Sequence, residues 1–249
     1  MKKLSVITVT YNCAALIERT LESVLSKRGD IAEHIVIDGG SIDGTLAIID
    51  KYRDKLAYFI SEPDRGIYDA MNKGIDVATG EWILFLNAGD VFYDNLQLQK
   101  LKFDWPRGTE FVAFPFLIEG ETDPKFPDLN TRFGMPSSHQ AMLISAAAAK
   151  ETPLNRNYKV AADYEFYVKR RKSTGDCARL GHDILTLVQP GGYSGANLNT
   201  MKREYQRIIL KNFGWKKAVI YFFWCRPLVF GIIKAILPVA MFDNMKKRL

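Results

Sequence analysis

The stretch that decides the fold runs from residue 56 to residue 90: LAYFISEPDRGIYDAMNKGIDVATGEWILFLNAGD. It begins with a short apolar run, passes through a loop rich in charge, Pro and Gly, and enters a segment with helical spacing. A second apolar run begins at Trp82 and ends in a turn that carries Asp90. Short apolar runs bounded by turn residues are typical of buried strands. The stretch therefore predicts a strand, a helix and a strand, with an acid after the last strand.

The same alternation fills the chain upstream of this stretch. LSVITVTY (residues 4–11) and HIVIDGG (residues 34–40) are short apolar runs, and a segment with helical spacing follows each of them. Strands that alternate with helices predict βαβ units, so we expect an α/β fold with a mostly parallel central sheet flanked by helices. Such sheets bind ligands beyond the carboxyl ends of their strands. Four polar clusters stand at these ends, the last residues of which are Asn12, Ser41, Arg65 and Asp90.

Length and composition indicate a folded, reducing-compartment protein. The chain has 249 residues, of which 47% are hydrophobic and 12% aromatic, which supports a substantial core. The three cysteines are far apart and show no paired spacing, so we expect neither a disulfide framework nor a zinc site. The N-terminal MKKLSVITVTYN lacks the long apolar core of a signal peptide, and we expect a first core strand there.

Positive charge is concentrated at the C-terminus. The whole chain carries a net charge of +6, and residues 199–249 hold eleven Lys or Arg against two acids, a net +9. Residues 218–242 are almost entirely apolar, but Pro227 and Pro238 interrupt them. We therefore expect this tail to lie in the interface of an anionic membrane rather than to span it. The alternative is a helical pair packed on the α/β domain or on the partner in a homodimer.

The motifs for two common nucleotide-binding loops are missing. TYNCAALIE follows the first strand without the glycines that a dinucleotide-binding fold requires, and no Walker loop occurs. Acids stand at the strand ends instead. Asp38 can accept a hydrogen bond from a nucleobase or a ribose, and Asp90 follows a Gly in a turn suited to a hard cation. Mg²⁺ and Mn²⁺ prefer oxygen ligands and are often held by one or two carboxylates plus substrate phosphates.

Four segments in this order resemble a known family. SVITVTYN, VIDGGSIDGT, EPDRGIYDAMNKGI and GEWILFLNAGD resemble the donor half of inverting family 2 glycosyltransferases with a GT-A fold. The resemblance extends to the bacterial branch that builds colanic acid, O-antigen and other exopolysaccharide repeat units. It is dense over residues 4–95 and thins to short islands at SSHQ and AADYEF. Each segment alone is weak, but the ordered set is specific.

The resemblance implies roles for individual residues. It implies that a nucleotide-sugar donor, most simply a UDP-sugar, is contacted by Thr8, Tyr11, Asp38, Arg65, Lys73 and Asn87. Asp90 would bind Mn²⁺ or Mg²⁺, with His139 as a further metal ligand. The family often has two acids in its metal motif, and this chain has Asn87-Ala-Gly-Asp90 there. An inverting transfer also needs a general base, for which Asp163 matches best and Glu165 is the alternate.

The resemblance also implies an organisation and a cellular place. We expect a GT-A domain over residues 1–198, with a nucleotide-sugar half (1–97) and an acceptor half (98–198), followed by the membrane-associating region 199–249. The acceptor would be an undecaprenyl-diphosphate-linked saccharide at the cytoplasmic face of the bacterial inner membrane, and no nucleic acid would be bound. Two alternatives remain: a sugar-phosphate nucleotidyltransferase, which usually has a Gly-rich signature that is missing here, and an inactive glycan-binding or scaffold subunit.

Overall fold

The computed structural model describes residues 2–131 and 134–215. The predicted strands in the first 90 residues form there as β1 to β4. Their bounds are Leu4–Thr10 (β1), Ala32–Asp38 (β2), Tyr58–Ser61 (β3) and Trp82–Phe85 (β4). All neighbouring pairs among them are parallel, in the spatial order β3-β2-β1-β4. The prediction of a parallel sheet built from βαβ units is therefore confirmed.

Later strands extend the sheet and form a second one. The strands are Val91–Phe92 (β5), Phe111–Ala113 (β6), Phe116–Ile118 (β7), Met142–Ser145 (β8), Ala178–Leu180 (β9) and Thr186–Val188 (β10). The main sheet continues from β4 through β8 and β6 to β9, and only β8 runs antiparallel to its neighbours. The second sheet has the order β5-β10-β7 and stands beside the end of β4.

Helices cover both faces of the main sheet. They are Ala14–Lys27 (α1), Thr45–Asp50 (α2), Ile67–Val77 (α3), Ala146–Glu151 (α4), Ala162–Thr174 (α5), Tyr193–Ala196 (α6) and Leu198–Phe213 (α7). Ile17 and Leu21 of α1 pack with Val36 and with Ile49 of α2 on one face. The α3 and α5 helices pack on the other face, around Ile7 and Val9. The fold is mixed α/β with a mostly parallel central sheet, as expected.

Close approach of α3 to β1 depends on a glycine. A Cβ atom at Gly74 would lie 2.5 Å from Cγ2 of Ile7, so a larger residue would push the helix off the sheet. This contact sets the position of the whole helix, including its first turn at Ile67–Asp69, which faces the carboxyl ends of the strands. Glycine at position 74 thus helps to fix the geometry of the candidate site.

The C-terminal region is described only in part. No helix among residues 2–131 and 134–215 is long and apolar enough to cross a membrane. The predicted membrane-associating stretch 218–242 lies outside the described residues. Strands from both halves share the main sheet. The division of the chain into a donor half and an acceptor half stays a prediction.

Candidate active site

A cavity of about 740 Å³ opens at the carboxyl ends of β1 and β4. Most of its walls come from five segments that are distant in sequence. They are the end of β1 (Val9–Tyr11), the loop and first turns of α3 (Asp64, Gly66–Tyr68, Ala70, Met71), the turn after β4 (Asn87, Ala88, Asp90) and two later segments (Ser138–Gln140, Val188–Gly195). The cavity lies at the edge where the sequence places its polar clusters, and residues of three of the four clusters line it, but none of the cluster after β2 does. That this edge is the functional site stays a prediction.

Asp90 lies at the base of the cavity in a rigid turn. The hydroxyl of Thr20, from α1, accepts a hydrogen bond from the Gly89 amide at 2.9 Å and donates to the Asp90 carbonyl at 2.8 Å. Gly89 has φ 100°, and a Cβ there would lie 2.0 Å from Oε1 of Gln189. Both the backbone angle and the contact with Gln189 therefore require glycine before the acid.

The carboxylate of Asp90 is buried and held by two donors. Oδ1 accepts from the backbone amide of Gln189 at 2.9 Å, and Oδ2 accepts from Nε2 of Gln140 at 3.1 Å. Burial raises the pKa of Asp90 above its usual value in spite of these two hydrogen bonds. A carboxylate that loses hydration without gaining a full positive partner is stabilised by any cation that enters the cavity.

Asn87 and His139 form a pair beside Asp90. Nδ2 of Asn87 lies 3.0 Å from Nε2 of His139, while Oδ1 of Asn87 is buried with no hydrogen-bond partner among the described residues. On its other side, Nδ1 of His139 lies 3.4 Å from Oδ2 of Asp163. Nε2 thus faces the side-chain amide of Asn87, and Nδ1 faces the carboxylate of Asp163. The geometry does not favour His139 as a metal ligand, because a ligating nitrogen needs a free lone pair.

Asp163 does not line the cavity itself but contacts two residues that do. It is the second residue of α5, and its Oδ1 accepts from the Tyr164 amide at 2.8 Å and from the Tyr68 hydroxyl at 3.3 Å. Tyr68 and His139 both line the cavity. The structure thus links the predicted base, through His139, to Asn87 in the turn that carries Asp90, across about 75 residues of sequence. Ala161, not Asp163, is the N-cap residue of α5, so simple helix capping does not explain the acid.

Glu165, the alternate base, lies elsewhere. Its side chain is 1% exposed and forms an ion pair with Lys169 at 3.0 Å. Nδ2 of Asn155 donates to its Oε1 at 3.4 Å. Residues two positions apart on a helix point about 200° apart, so Asp163 and Glu165 cannot share a cavity. Glu165 as the base is therefore a prediction that the structure corrects.

Thr8 and Asp38 are structural rather than exposed to the cavity. Thr8 has no exposed surface; it donates to the Leu86 carbonyl at 2.8 Å and lies 2.9 Å from Nε2 of His34. Asp38 is also fully buried, and its carboxylate accepts bonds from the Ser41 amide and hydroxyl, the Gly40 amide and the Ser61 hydroxyl. Both oxygens of Asp38 are therefore satisfied within the chain, and direct contact of Thr8 or Asp38 with a nucleotide is not supported.

Thr10 and Tyr11, at the end of β1, line the cavity, whereas Thr8 does not. The Tyr11 ring is 59% exposed and lines the cavity. Thr10 is two residues beyond Thr8 and so points to the same face of the sheet, but at the strand end. It lines the cavity, and its Oγ1 has no partner among the described residues. The expectation for Tyr11 fits its position, and Thr10 is a cavity residue that the sequence argument missed.

Lys73 of α3 forms an ion pair with an acid of the loop before the helix. Nζ of Lys73 lies 2.7 Å from Glu62, outside the cavity, and Arg65 is exposed on the same loop. Asp69 accepts from the Arg65 amide and from Arg156, so it does not orient the Arg65 side chain. The structure therefore does not support Lys73 as a cavity residue. Asp64 does line the cavity, with its Oδ1 accepting from the Gly66 amide at 2.8 Å.

Two glutamines complete the list of residues that sequence reasoning missed. Gln140 is adjacent to His139 and holds Asp90, and Gln189 closes the turn from the opposite side. The motif SSHQ contains Gln140, so a signal for it existed. Nothing local marks Gln189, because its contact with Asp90 spans 99 positions of sequence.

Comparison with known proteins identifies the family. The model of the family described as glycosyl transferase family 2 matches residues 5–164, which is more than half of the chain. A glycosyltransferase of Mycobacterium bovis, named for PGL/p-HBAD biosynthesis, is 31% identical over 174 residues, which cover 66% of this chain and 68% of that one.

This chain belongs to glycosyl transferase family 2. Two solved structures share the fold of this family 2 glycosyltransferase. A mannosyltransferase from Pyrobaculum calidifontis superposes with a TM-score of 0.68 at 17% identity, over 98% of this chain and 79% of that one. S. aureus TarS superposes with a TM-score of 0.65 at 22% identity, over 85% of this chain, which spans only 40% of the TarS chain. At these identities the likeness shows the fold alone.

Proposed function

We propose that this family 2 glycosyltransferase transfers a sugar from a UDP-sugar to an undecaprenyl-diphosphate-linked saccharide with inversion at the anomeric carbon. The observation that carries the proposal is that Asn87 and Asp90 line one cavity at the strand ends, and that Asp163 contacts two other residues of the same lining, Tyr68 and His139. Solved structures of similar fold support a nucleotide-linked donor: TarS 1–349 was crystallised with UDP and with UDP-GlcNAc, and the P. calidifontis enzyme with GDP-Man and Mn²⁺.

The nucleobase would bind at the end formed by Tyr11 and Asp64. An exposed aromatic ring offers a face on which a base can stack. A carboxylate accepts hydrogen bonds but cannot donate them, so Asp64 selects a base with an N–H at this position. Uracil carries a hydrogen on N3, whereas cytosine carries a lone pair there. This difference favours a UDP-sugar over a CDP-sugar.

The turn after β4 fits a hard divalent cation. Asp90 supplies a buried carboxylate, and Oδ1 of Asn87 is a buried acceptor without a partner among the described residues. No cluster of three or more His, Cys, Asp or Glu occurs in the described part of the chain, so the diphosphate of the donor would complete the ligands. Mn²⁺ or Mg²⁺ bound by Asp90 and Asn87 would supply charge neutralisation for a nucleoside diphosphate leaving group.

Asp163 would act as the general base. Its carboxylate takes the proton of an acceptor hydroxyl as the hydroxyl oxygen forms a bond to the anomeric carbon. The bond from that carbon to the diphosphate oxygen breaks, and its electron pair leaves with the nucleoside diphosphate. Attack opposite the leaving group inverts the anomeric configuration. The link from Asp163 through His139 to Asn87, and its contact with the cavity-lining Tyr68, support this assignment.

The lipid-linked acceptor and the bacterial surface polysaccharide branch are proposed from the sequence. Residues 199–249 carry a net +9 from eleven basic and two acidic residues, next to an apolar stretch, which suits attraction to an anionic bilayer. A peripheral position at the cytoplasmic face of the inner membrane would place the cavity where nucleotide sugars and lipid-linked saccharides meet.

Donor hydrolysis tests the transferase proposal without knowledge of the acceptor. Water replaces the acceptor, and UDP release from UDP-glucose and UDP-N-acetylglucosamine is measured in Mn²⁺, with GDP-mannose in parallel. We expect release from at least one UDP-sugar, and loss of that release in Asp90→Asn. An inactive scaffold or glycan-binding subunit would release nothing from any donor, and this result would overturn the proposal.

A further inference from the structure

The oxygens of Asp163 are held from three separate elements. Oδ1 accepts from the Tyr164 amide of α5 at 2.8 Å and from the Tyr68 hydroxyl of α3 at 3.3 Å. Oδ2 faces Nδ1 of His139 at 3.4 Å. A surface acid at a helix start would be expected to rotate in solvent, but this one is confined between two cavity-lining side chains.

Tyr68 can only be a donor in this contact. Its side chain is 6% exposed, and a buried hydroxyl without a hydrogen bond is costly. Burial, and next the charge of Asp163, raise the pKa of Tyr68 well above its usual value, so the hydroxyl keeps its proton. Asp163 then receives the hydrogen bond at Oδ1 whenever it is ionised.

His139 can also be assigned as a donor. Nδ2 of Asn87 has hydrogens but no lone pair to share, so Nε2 of His139 must accept from it. In the neutral ring the proton then lies on Nδ1, which faces Oδ2 of Asp163. The same orientation of Asn87 directs its unpartnered Oδ1 away from the imidazole ring.

We infer that Tyr68 and His139 are positioning residues that hold the carboxylate of Asp163 in a single orientation for proton transfer. The inference rests on the proposed function, in which Asp163 is the base. Neither residue needs to touch the sugar for this role. A misplaced catalytic group lowers the rate of the chemical step far more than it lowers the affinity for the donor.

The substitutions separate positioning from folding. Tyr68→Phe removes only the hydroxyl and keeps the packed ring. Tyr164→Phe is the matched control, since the Tyr164 hydroxyl is buried with no partner among the described residues and lies on the residue next to Asp163. His139→Asn keeps an N–H near the place of Nδ1, whereas His139→Ala removes it.

The experiment measures kcat and KM for UDP release from a UDP-sugar in Mn²⁺, together with UDP affinity. We expect Tyr68→Phe to lower kcat by about 10-fold to 100-fold with KM and UDP affinity near wild type. Tyr164→Phe should match wild type, and His139→Asn should recover part of the rate lost in His139→Ala. In the Asp163→Asn background, Tyr68→Phe should cause no further loss, because the carboxylate it orients has gone.

Unchanged kcat in Tyr68→Phe would overturn the inference while leaving Asp163 as the base, provided that Asp163→Asn is slow. An equal loss from Tyr68→Phe in the wild-type and Asp163→Asn backgrounds would also overturn it, since Tyr68 would then act independently of Asp163. If Asp163→Asn itself turns over like wild type, the assignment of the base fails and the positioning role fails with it.

Discussion

Asp64 occupies the space that a side chain at Gly39 would fill. A Cβ atom built on Gly39 would lie 2.5 Å from Oδ2 of Asp64 and 3.4 Å from the ring of Tyr11. The loops after β2 and β3 therefore meet at the end of the cavity, with the carboxylate in the gap that glycine leaves. The acid that lines the cavity at this end is Asp64, whereas Asp38 accepts its hydrogen bonds from Gly40, Ser41 and Ser61.

We expect Asp64→Asn to weaken UDP binding by about 10-fold or more, since a hydrogen bond to a charged group contributes roughly 1.5–3 kcal/mol. Calorimetric titration with UDP measures the effect. Glu62→Gln is the control, because Glu62 is on the same loop but pairs with Lys73 outside the cavity. Equal UDP affinity in wild type and Asp64→Asn would show that Asp64 does not face the base.

Gly39→Ala tests the same contact from the other side. The added methyl group would clash with the Asp64 carboxylate, and either the side chain or the loop must move. We expect weaker UDP binding without a large loss of thermal stability. Gly134→Ala serves as the control substitution, since the nearest atom to its Cβ is 3.7 Å away. Wild-type binding by Gly39→Ala would place the nucleotide elsewhere.

Asp163→Asn should lower turnover by about 10²–10⁴ while UDP affinity stays near wild type, because the amide keeps the shape but cannot accept a proton. Steady-state UDP release measures the rate. Glu165→Gln should lower the melting temperature instead, since it leaves Lys169 without its buried partner. If Glu165→Gln lost turnover and Asp163→Asn retained it, the assignment of the base would be reversed.

We expect the fold to be less stable in mild acid because of the buried His34. Burial, and next the charge of Arg28, lower the pKa of His34 from 6.5 to about 3. Below pH 6.5, His34 is protonated in the unfolded chain but stays neutral in the folded chain. The free energy of unfolding therefore falls as pH decreases from 6.5 towards 3. His34→Gln keeps an N–H for Thr8 and should flatten this dependence in denaturant titrations. His182→Gln, at an exposed site, should leave the slope unchanged; equal slopes in all three proteins would refute the assignment.

Truncation before residue 218 tests the proposed membrane association. It removes the apolar stretch and the basic residues Arg226, Lys234, Lys246, Lys247 and Arg248. We expect UDP binding to persist, while co-sedimentation with anionic vesicles falls and activity on a long-chain lipid acceptor decreases. Vesicles of neutral lipid are the control for charge. If the truncated chain still sediments with anionic vesicles, the membrane proposal is wrong; loss of UDP binding would mean that the tail supports the core.

The first four strands of the seven-stranded main sheet could be predicted because their information is local. Each of β1 to β4 is a short apolar run, and parallel βαβ order follows from the alternation with helices. The second sheet could not be predicted in the same way. Its strands have two or three residues each, and their pairing depends on contacts between β5, β7 and β10 that are far apart in sequence.

The candidate site was predictable as a place more than as a set of side chains. Motif order predicted that Asn87 and Asp90 face one strand edge, where both line the cavity, whereas Asp163, in α5, contacts that lining through Tyr68 and His139. A shift of two residues along a strand decides whether a side chain lines the cavity. Thr10 lines it, whereas Thr8 is fully buried. Contacts such as Gln189 with Asp90 arise only from tertiary packing and leave no local pattern.

We expect the cavity to bind a nucleotide through a metal at Asp90. Calorimetric titration of UDP in Mn²⁺ and in chelator, with wild type, Asp90→Asn and the exposed control Asp76→Asn, tests it most directly. We expect UDP to bind wild type and Asp76→Asn in Mn²⁺, and to bind about 10-fold to 100-fold more weakly in chelator and in Asp90→Asn. Equal affinity in all three proteins, with or without Mn²⁺, would contradict the account.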